Sequence, residues 1–387
     1  MNVFTLLKYG LFVFSCCFLL NCKVDAKSEY VSISISNLRA QYAQADTKKW
    51  PEPELDSLVD RSKFEDLGVL PEVEYPNDNP FSEEKKQLGK LLFFDARLSE
   101  SKQIACANCH NPELAWTDNI TRSLGHERQE NTRNAMSIMN VAFAKRLFWD
   151  GRAESLEHQA SFPISDPVEM NTHSTVTLEN IANIDGYKPL FTEAFGDAQV
   201  TLDRVLKAIA TFERSLVSRN SKFDKFVSGK AEAFTDQEVL GLHLFRTKAR
   251  CINCHNTPYF SDNLFHNDGQ ALFGTNDEDF GLYNHTNKLE DLGKFRTPSL
   301  REVAMTGPWM HHGHFPSLLD VVEYYNLGNP APIQKKYLGT TRDSLIPTTS
   351  PMLEKLELNK TEVEAIIAFL ETLSTKTQRV NLVNMPE

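Results

Sequence analysis

The chain has 387 residues, enough for two moderate domains that each bury a core of their own. Its 52 acidic and 41 basic side chains leave a formal charge of -11. That balance argues against a nucleic-acid backbone as the natural partner and favours a neutral or basic protein.

The chain opens with MNVFTLLKYGLFVFSCCFLLNC, in which Lys8 precedes an apolar run from Tyr9 to Leu20. This is the pattern of an export signal, assigned to residues 1–28, and it places the mature chain in the periplasm. A membrane-spanning helix is the competing reading, but the run falls short of the roughly 20 apolar residues a span needs. Cys22, or less obviously Cys16, ends the run and offers a thiol for a lipid anchor, with Asn21 an awkward residue before Cys22. Of the seven cysteines, Cys16, Cys17 and Cys22 fall in this segment, which leaves Cys106, Cys109, Cys251 and Cys254. None remains for a disulfide.

Residues 29–80 are polar, acidic and proline-containing, and read as an extension or wrapping arm without chemistry of its own. After Phe81, Ser82 caps an expected helix over 83–94 whose Leu88, Leu91 and Leu92 recur at near-helical spacing. Further helical patterns cover 152–160, 176–183, 201–217, 235–245, 317–326 and 361–373, joined by long loops rich in Gly, Pro and Asn. The helix before CANCH and the helix before CINCH look alike, a faint internal repeat with a boundary near 225–235. The expectation is a mainly α chain of two c-type cytochrome domains with long loops, residues 81–230 and 231–387.

CANCH at 106–110 and CINCH at 251–255 carry the chemistry. In each, two thiols suit covalent bonding to the haem vinyl groups, and the histidine that follows suits iron ligation. Zinc sites or disulfide loops would leave the repeated terminal histidine unexplained. His110 and His255 are therefore expected as proximal ligands, with function decided on the opposite haem faces.

Across residues 81–375 the chain resembles the bacterial dihaem cytochrome c peroxidases and their relatives of the methylamine-utilisation type, which oxidise tryptophan in a partner protein. The resemblance is carried by LGKLLFFDARLS, CANCH, TRNAMSIMN, FWDGRAESLEHQA, PISDPVEM, CINCH, FRTPSLREVAMTGPWMHHG and SLLDVVEYYNLG. It implies that the first haem is the peroxide site and that Glu169 of PVEM moves the peroxide protons. Gln159 of LEHQ would line the same pocket, or serve only as a structural hydrogen-bonding group. His126 matches the histidine that ligates the first iron in the oxidised resting form and leaves on activation; an ordinary loop histidine is the alternative. Trp149 of LFWDGR corresponds to the tryptophan between the haems, a role compatible with plain aromatic packing. Asn134, with the carbonyls of Thr306 and Pro308, matches a family calcium site. His311 matches a residue near the second haem, whereas its neighbour His312 reads as an ordinary surface residue.

Opposite the second haem the methionine-ligated peroxidases carry methionine, and here the corresponding residue is Tyr325. Leu318, Val321, Val322 and Tyr325 share one helical face, which aims Tyr325 at the haem and turns Tyr324 elsewhere. A tyrosinate favours ferric and higher states over ferrous iron, unlike a thioether. The resemblance thus implies a peroxidase that reduces hydrogen peroxide to water, with its second haem storing or relaying oxidising equivalents. Two alternatives stay open: a partner-protein side-chain oxidase, and a dihaem electron carrier without catalysis. The electron source would be a small cytochrome c, a cupredoxin or a protein substrate, and a homodimer is compatible with this reading.

Overall fold

The computed structural model describes residues 34–331, 335–375, 380 and 384–387. The export segment, with Cys16 and Cys22, lies outside the described residues. In chain order the helices are α1 (Ile35–Tyr42), α2 (Glu83–Phe94), α3 (Cys106–Cys109), α4 (Leu156–Ser165), α5 (Ser174–Ala182), α6 (Tyr187–Phe195), α7 (Leu202–Arg214), α8 (Lys222–Val227), α9 (Asp236–Arg246), α10 (Tyr283–Thr286), α11 (Leu318–Asn326) and α12 (Lys360–Glu371). Short strands β1 (Phe265–His266) and β2 (Phe295–Arg296) pair antiparallel, with Phe265 opposite Arg296 and His266 opposite Phe295. Among the described residues no helix is long and apolar enough to cross a membrane.

Capping explains where the helices begin. Ser82 accepts from the Lys85 amide at 3.1 Å, as its position before α2 suggests. Thr235 and Glu238 form a reciprocal capping box on α9, and Asn359 and Glu362 do the same on α12. The helix expected over 152–160 starts instead at Leu156, because Ser155 accepts from the His158 amide and 150–152 are tied into a turn by the Asp150 carboxylate. Five helices escaped the pattern reading, two of them, α3 and α10, single turns of four residues. α8 has six residues, too few for a period to register. α6 carries Pro189, which is tolerated in a first turn but reads as a breaker. α1 sits in the polar extension and buries only Leu38 and Tyr42.

Residues Ile35–Glu387 form one compact unit with two apolar cores. One gathers Leu88, Leu92 and Phe93 of α2, Leu156 and Ala160 of α4, and Val205, Ile209 and Phe212 of α7. The other joins Leu242 and Phe245 of α9 to Ile366 and Phe369 of α12, and takes in Tyr42, Trp50 and Leu67 from the N-terminal arm. The arm also reaches the second haem motif directly: the Asp56 amide donates to Asn253 Oδ1 at 2.8 Å, and Glu65 O accepts from the Thr257 amide at 2.8 Å.

The faint repeat is a physical one. α2 crosses α7 at Gly89, where an added Cβ would lie 1.8 Å from Ala208 O; α9 crosses α12 at Gly241, where it would lie 2.0 Å from Ala365 O. Each helix that leads to a haem motif thus presses its backbone against its partner, a distance that only glycine permits. Gly89→Ala and Gly241→Ala should each cost about 1–3 kcal/mol through forced separation of the pair. Denaturant unfolding checks this, and an unchanged midpoint in either variant would show that the crossing tolerates a side chain.

Candidate active site

The two CxxCH segments are built alike at the end of these helix pairs. The His110 amide donates to Cys106 O at 3.0 Å, and the His255 amide to Cys251 O at 2.9 Å. His110 Nδ1 lies 3.2 Å from Trp116 O and His255 Nδ1 lies 3.1 Å from Phe260 O. Both carbonyls belong to aromatic residues in the left-handed region, Trp116 at φ 63° and Phe260 at φ 59°. Bulky residues seldom adopt that conformation, so its repetition marks a demand of the site. Each carbonyl fixes the ring tautomer with the proton on Nδ1 and leaves Nε2 as a lone-pair donor. Burial lowers the pKa of both imidazoles, which favours the neutral form an iron ligand requires.

A cavity of about 710 Å³ runs between the segments. Its wall includes Cys106, Cys109 and His110 from the first half and Cys251, Cys254 and His255 from the second. Gln159, Glu169 and Trp149 also border it, as do Asn134, Thr306 and Pro308. So do Leu318, Val321, Val322 and Tyr325 of α11, the four residues of the expected helical face. Tyr324 turns away, its hydroxyl 3.3 Å from Asp268 O.

Glu169 accepts a 2.7 Å hydrogen bond from Asn131 Nδ2, and burial raises its pKa against that bond. A carboxyl so placed is poised to hold a proton at the cavity wall. His126 stands behind it: its amide donates to Glu169 O at 2.8 Å, while its Nε2 is 3.9 Å from Glu100 Oε2 and its ring is not on the cavity wall. Trp149 Nε1 donates to Asn134 O at 3.0 Å, and the Asn134 amide donates to His311 O at 2.8 Å. The Trp149 and His311 rings are 6.3 Å apart, so these three positions form one junction between the halves. His311 stacks on Phe295 at 3.7 Å, with both ring nitrogens buried and lacking a hydrogen-bond partner. His312 is not the surface residue expected. It is 2% exposed, its Nε2 meets Gln270 Oε1 at 2.8 Å, and burial lowers it to about 4.

An ion network flanks Trp149. Arg133 contacts Asp150 and reaches Asp279 at 2.7 Å, while Arg152 and His285 each lie 2.9 Å from Asp150. Burial opposes ionisation of Asp150, yet Arg133 and Arg152 hold it down at about 2. Beside Tyr325, burial lifts Asp268 to about 6. Burial, then Asp268 and the two thiols of the second motif, push the Tyr325 phenol well above its ordinary value. Phenolate there needs a positive centre to sustain it.

The residues fit a pair of c-type haems. Burial drives the thiols up, Cys109 to about 11, Cys251 to about 12 and Cys106 beyond, so thioether formation would consume groups that have little tendency to ionise. Arg296, which borders the cavity and is 4% exposed, has no carboxylate partner among the described residues. A buried guanidinium without a counter-charge is costly, and haem propionates would supply one. Arg296 stands within the FRTPSL run, and its pairing with the cavity was hidden because it lies far along the chain from either haem motif.

A family model described as di-haem cytochrome c peroxidase (CCP_MauG) matches residues 83–232. The methylamine utilization protein MauG of Methylorubrum extorquens is 38% identical over 315 residues, 81% of this chain and 85% of that protein. The cytochrome-c peroxidase IdrP1 of a Pseudomonas species is 35% identical over 337 residues, 80% of this chain and 85% of that one. A crystal structure of a MauG-like protein associated with microbial copper homeostasis superposes with TM-score 0.70 at 30% identity, covering 79% of this chain and 93% of that one. The fold and the paired motifs define a c-type dihaem protein. The chain belongs to the family of bacterial dihaem cytochrome c peroxidases and MauG-like proteins, and membership brings two c-type haems and oxidoreductase activity.

Asp150→Asn should cost about 3–5 kcal/mol by leaving Arg133 and Arg152 without their shared carboxylate. Because the folded value is depressed to about 2, the Asp150 contribution is present above the unfolded value and is lost as pH falls through the folded one. Denaturant unfolding of wild type and variant across acid pH should therefore show the two converging toward pH ~2; a constant gap would contradict the assignment.

Proposed function

We propose that this chain is an exported dihaem peroxidase that reduces hydrogen peroxide to water at the haem held by Cys106, Cys109 and His110. The observation that carries the reading is Glu169: a half-buried carboxyl whose pKa desolvation raises, oriented by Asn131, on the wall of the cavity that His110 borders. Bound there, the haem pair supplies the peroxide-binding iron and the electron store. Glu169 takes the proton from the near peroxide oxygen and returns it to the leaving hydroxyl, while Gln159 orients the incoming molecule. Two electrons and two protons convert each peroxide to two waters, and the electrons come from a small cytochrome c or cupredoxin. With the haems bound, Trp149 would stand on the electron path between them, Tyr325 and His255 would hold the second iron, and His311 would belong to the second haem's polar surroundings. Asn134, with the carbonyls of Thr306 and Pro308, would hold a calcium ion at the junction of the halves. His126 sits behind Glu169, where a shift of the 126–131 loop would bring it to the iron or remove it. The protein works in the periplasm, with Cys22 or Cys16 available for an anchor.

A second reading has its own support. Tyr325 stands where the methionine-ligated peroxidases carry methionine, and the relative from Methylorubrum extorquens bears the name of a methylamine utilization protein. On this reading the electrons are drawn from a side chain of a partner protein.

Intact mass should show two covalent haem additions per chain; a single addition would defeat the architecture. Glu169→Gln should keep haem loading and slow peroxide cleavage by about 10²–10⁴-fold in single turnover, and an unchanged rate would remove Glu169 from proton transfer. Tyr325→Phe should alter the coordination spectrum of the second haem alone. If that spectrum is unchanged, Tyr325 packs rather than ligates. Peroxide added to the fully ferric protein then separates mechanisms: a prompt change at both haems supports tyrosinate ligation, whereas a requirement for prior reduction supports the switch through His126.

A further inference from the structure

The two helix crossings give a register for comparing the halves. Gly89 meets Ala208 O and Gly241 meets Ala365 O, so Ala208 of α7 corresponds to Ala365 of α12. One residue on, Ile209 and Ile366 both border the cavity; four on, Phe212 and Phe369 are both core aromatics. Five on, the second half has Leu370 at the cavity wall and the first half has Glu213. A carboxyl has replaced an isobutyl group on a scaffold that otherwise keeps apolar residues there.

Glu213 is 4% exposed, and its Oε2 is buried without a hydrogen-bond partner. The adjacent guanidinium does not serve it, because Arg214 is committed to Glu157 through bonds of 2.6 and 2.8 Å. The groups around α7 are few. α4 brings Glu157, already paired. α2 brings Lys85, whose ammonium turns to Asn79 Oδ1 and Pro80 O. The turn at 141–143 carries no ionisable side chain. The haem motif brings Cys106, whose thiol feels both Glu213 and Glu169, and Cys109. Burial, little relieved by Arg214, lifts Glu213 to about 8. An unpaired buried acid costs more than a leucine at the same place, so packing does not account for it.

We infer that Glu213 is the proton-holding residue of the first haem, gaining a proton when that haem accepts an electron and losing it when the electron leaves. Each electron from a one-electron donor then arrives with one proton taken from solvent onto the Glu213 carboxylate, and the site's net charge stays constant. At the matching position the second half has Leu370, so the compensation that Glu213 supplies is confined to the first haem. The inference rests on covalent haem attachment at Cys106 and Cys109.

The test is a redox titration of the holoprotein, following each haem's spectrum from about pH 5 to about pH 10, with haem content checked by intact mass. The midpoint potential of the first haem should fall with rising pH at a slope approaching 59 mV per pH unit, a tenfold change in proton activity per one-electron step. In Glu213→Gln and Glu213→Leu the slope should vanish. The potential at the alkaline end should then lie above wild type, because no carboxylate remains to favour ferric iron. The second haem should be unaffected, and Glu169→Gln should retain the slope. A slope that persists in both Glu213 variants, or disappears in Glu169→Gln, overturns the inference. An independent check needs no variant: infrared difference spectra of wild type across the first haem's redox step should contain a protonated carboxyl band that shifts on ¹³C labelling of glutamate. Absence of such a band also overturns it. Lack of a first haem in wild type by mass would instead refute the attachment on which it rests.

Discussion

Two backbone contacts govern the arrangement of everything else. Where Gly89 lies against Ala208 and Gly241 against Ala365, neither helix pair has room for a methyl group. The close approach lets side chains on both flanks interlock, and buried Phe93, Phe212, Phe245 and Phe369 fill the space that opens beyond it. Each such ring is worth about 1.5–3 kcal/mol in burial, so the crossings are held by packing on either side of a gap too small for anything but hydrogen. Each haem motif follows its anchor along the chain, Cys106 after Gly89 and, by a shorter connection, Cys251 after Gly241. Their histidines are then locked by carbonyls of left-handed aromatic residues, and both imidazoles present Nε2 to one cavity.

A second constraint ties the halves together. Arg133, Asp150 and Arg152 come from the first half, and Asp279 and His285 from the second, in a network with buried carboxylates. Buried ion clusters seldom add net stability over apolar packing, because desolvation consumes most of the Coulomb gain. Their value is geometric. Trp149 is adjacent to Asp150 in sequence, its amide-linked carbonyl accepts from the Arg296 amide at 2.7 Å, and its indole is fixed to Asn134 O. A charge network that cannot slide without exposing an unpaired carboxylate keeps that indole at the junction.

Much of this was legible in the sequence, and the reason differs by residue. The haem motifs are contiguous, so spacing alone exposes them. The α11 face is periodic, so Leu318, Val321, Val322 and Tyr325 could be placed on one side before any coordinates. Helix α2 announces itself through its cap and its leucines. What was hidden depends on contacts between distant segments: the burial of His312 requires Gln270 to lie above it, and the network around Asp150 requires Asp279 and His285 to arrive from more than a hundred residues away. Short helices such as α8 were hidden for a simpler reason, since one and a half turns do not reveal a period.

The internal repeat was visible only as a resemblance between two helices, and its consequence emerges from the register. Duplicated scaffolds make differences informative, because shared packing requirements are held constant and only the chemistry varies. Both halves keep glycine at the crossing, isoleucine at the cavity and phenylalanine in the core. They part at Glu213 and Leu370, and again where Glu169 borders the cavity on one side and Tyr325 on the other. At the cavity wall the first half thus adds Glu169 and Glu213, whose desolvation favours holding protons, while the second adds Asp268, which burial also lifts, and the Tyr325 phenol, which burial keeps protonated. Proton-linked chemistry belongs where protons can be stored beside the reacting atoms, and electron storage where a hard anionic ligand stabilises oxidised iron. A common fold supplies the cavity, and under the proposed function these few polar differences would divide the labour within it.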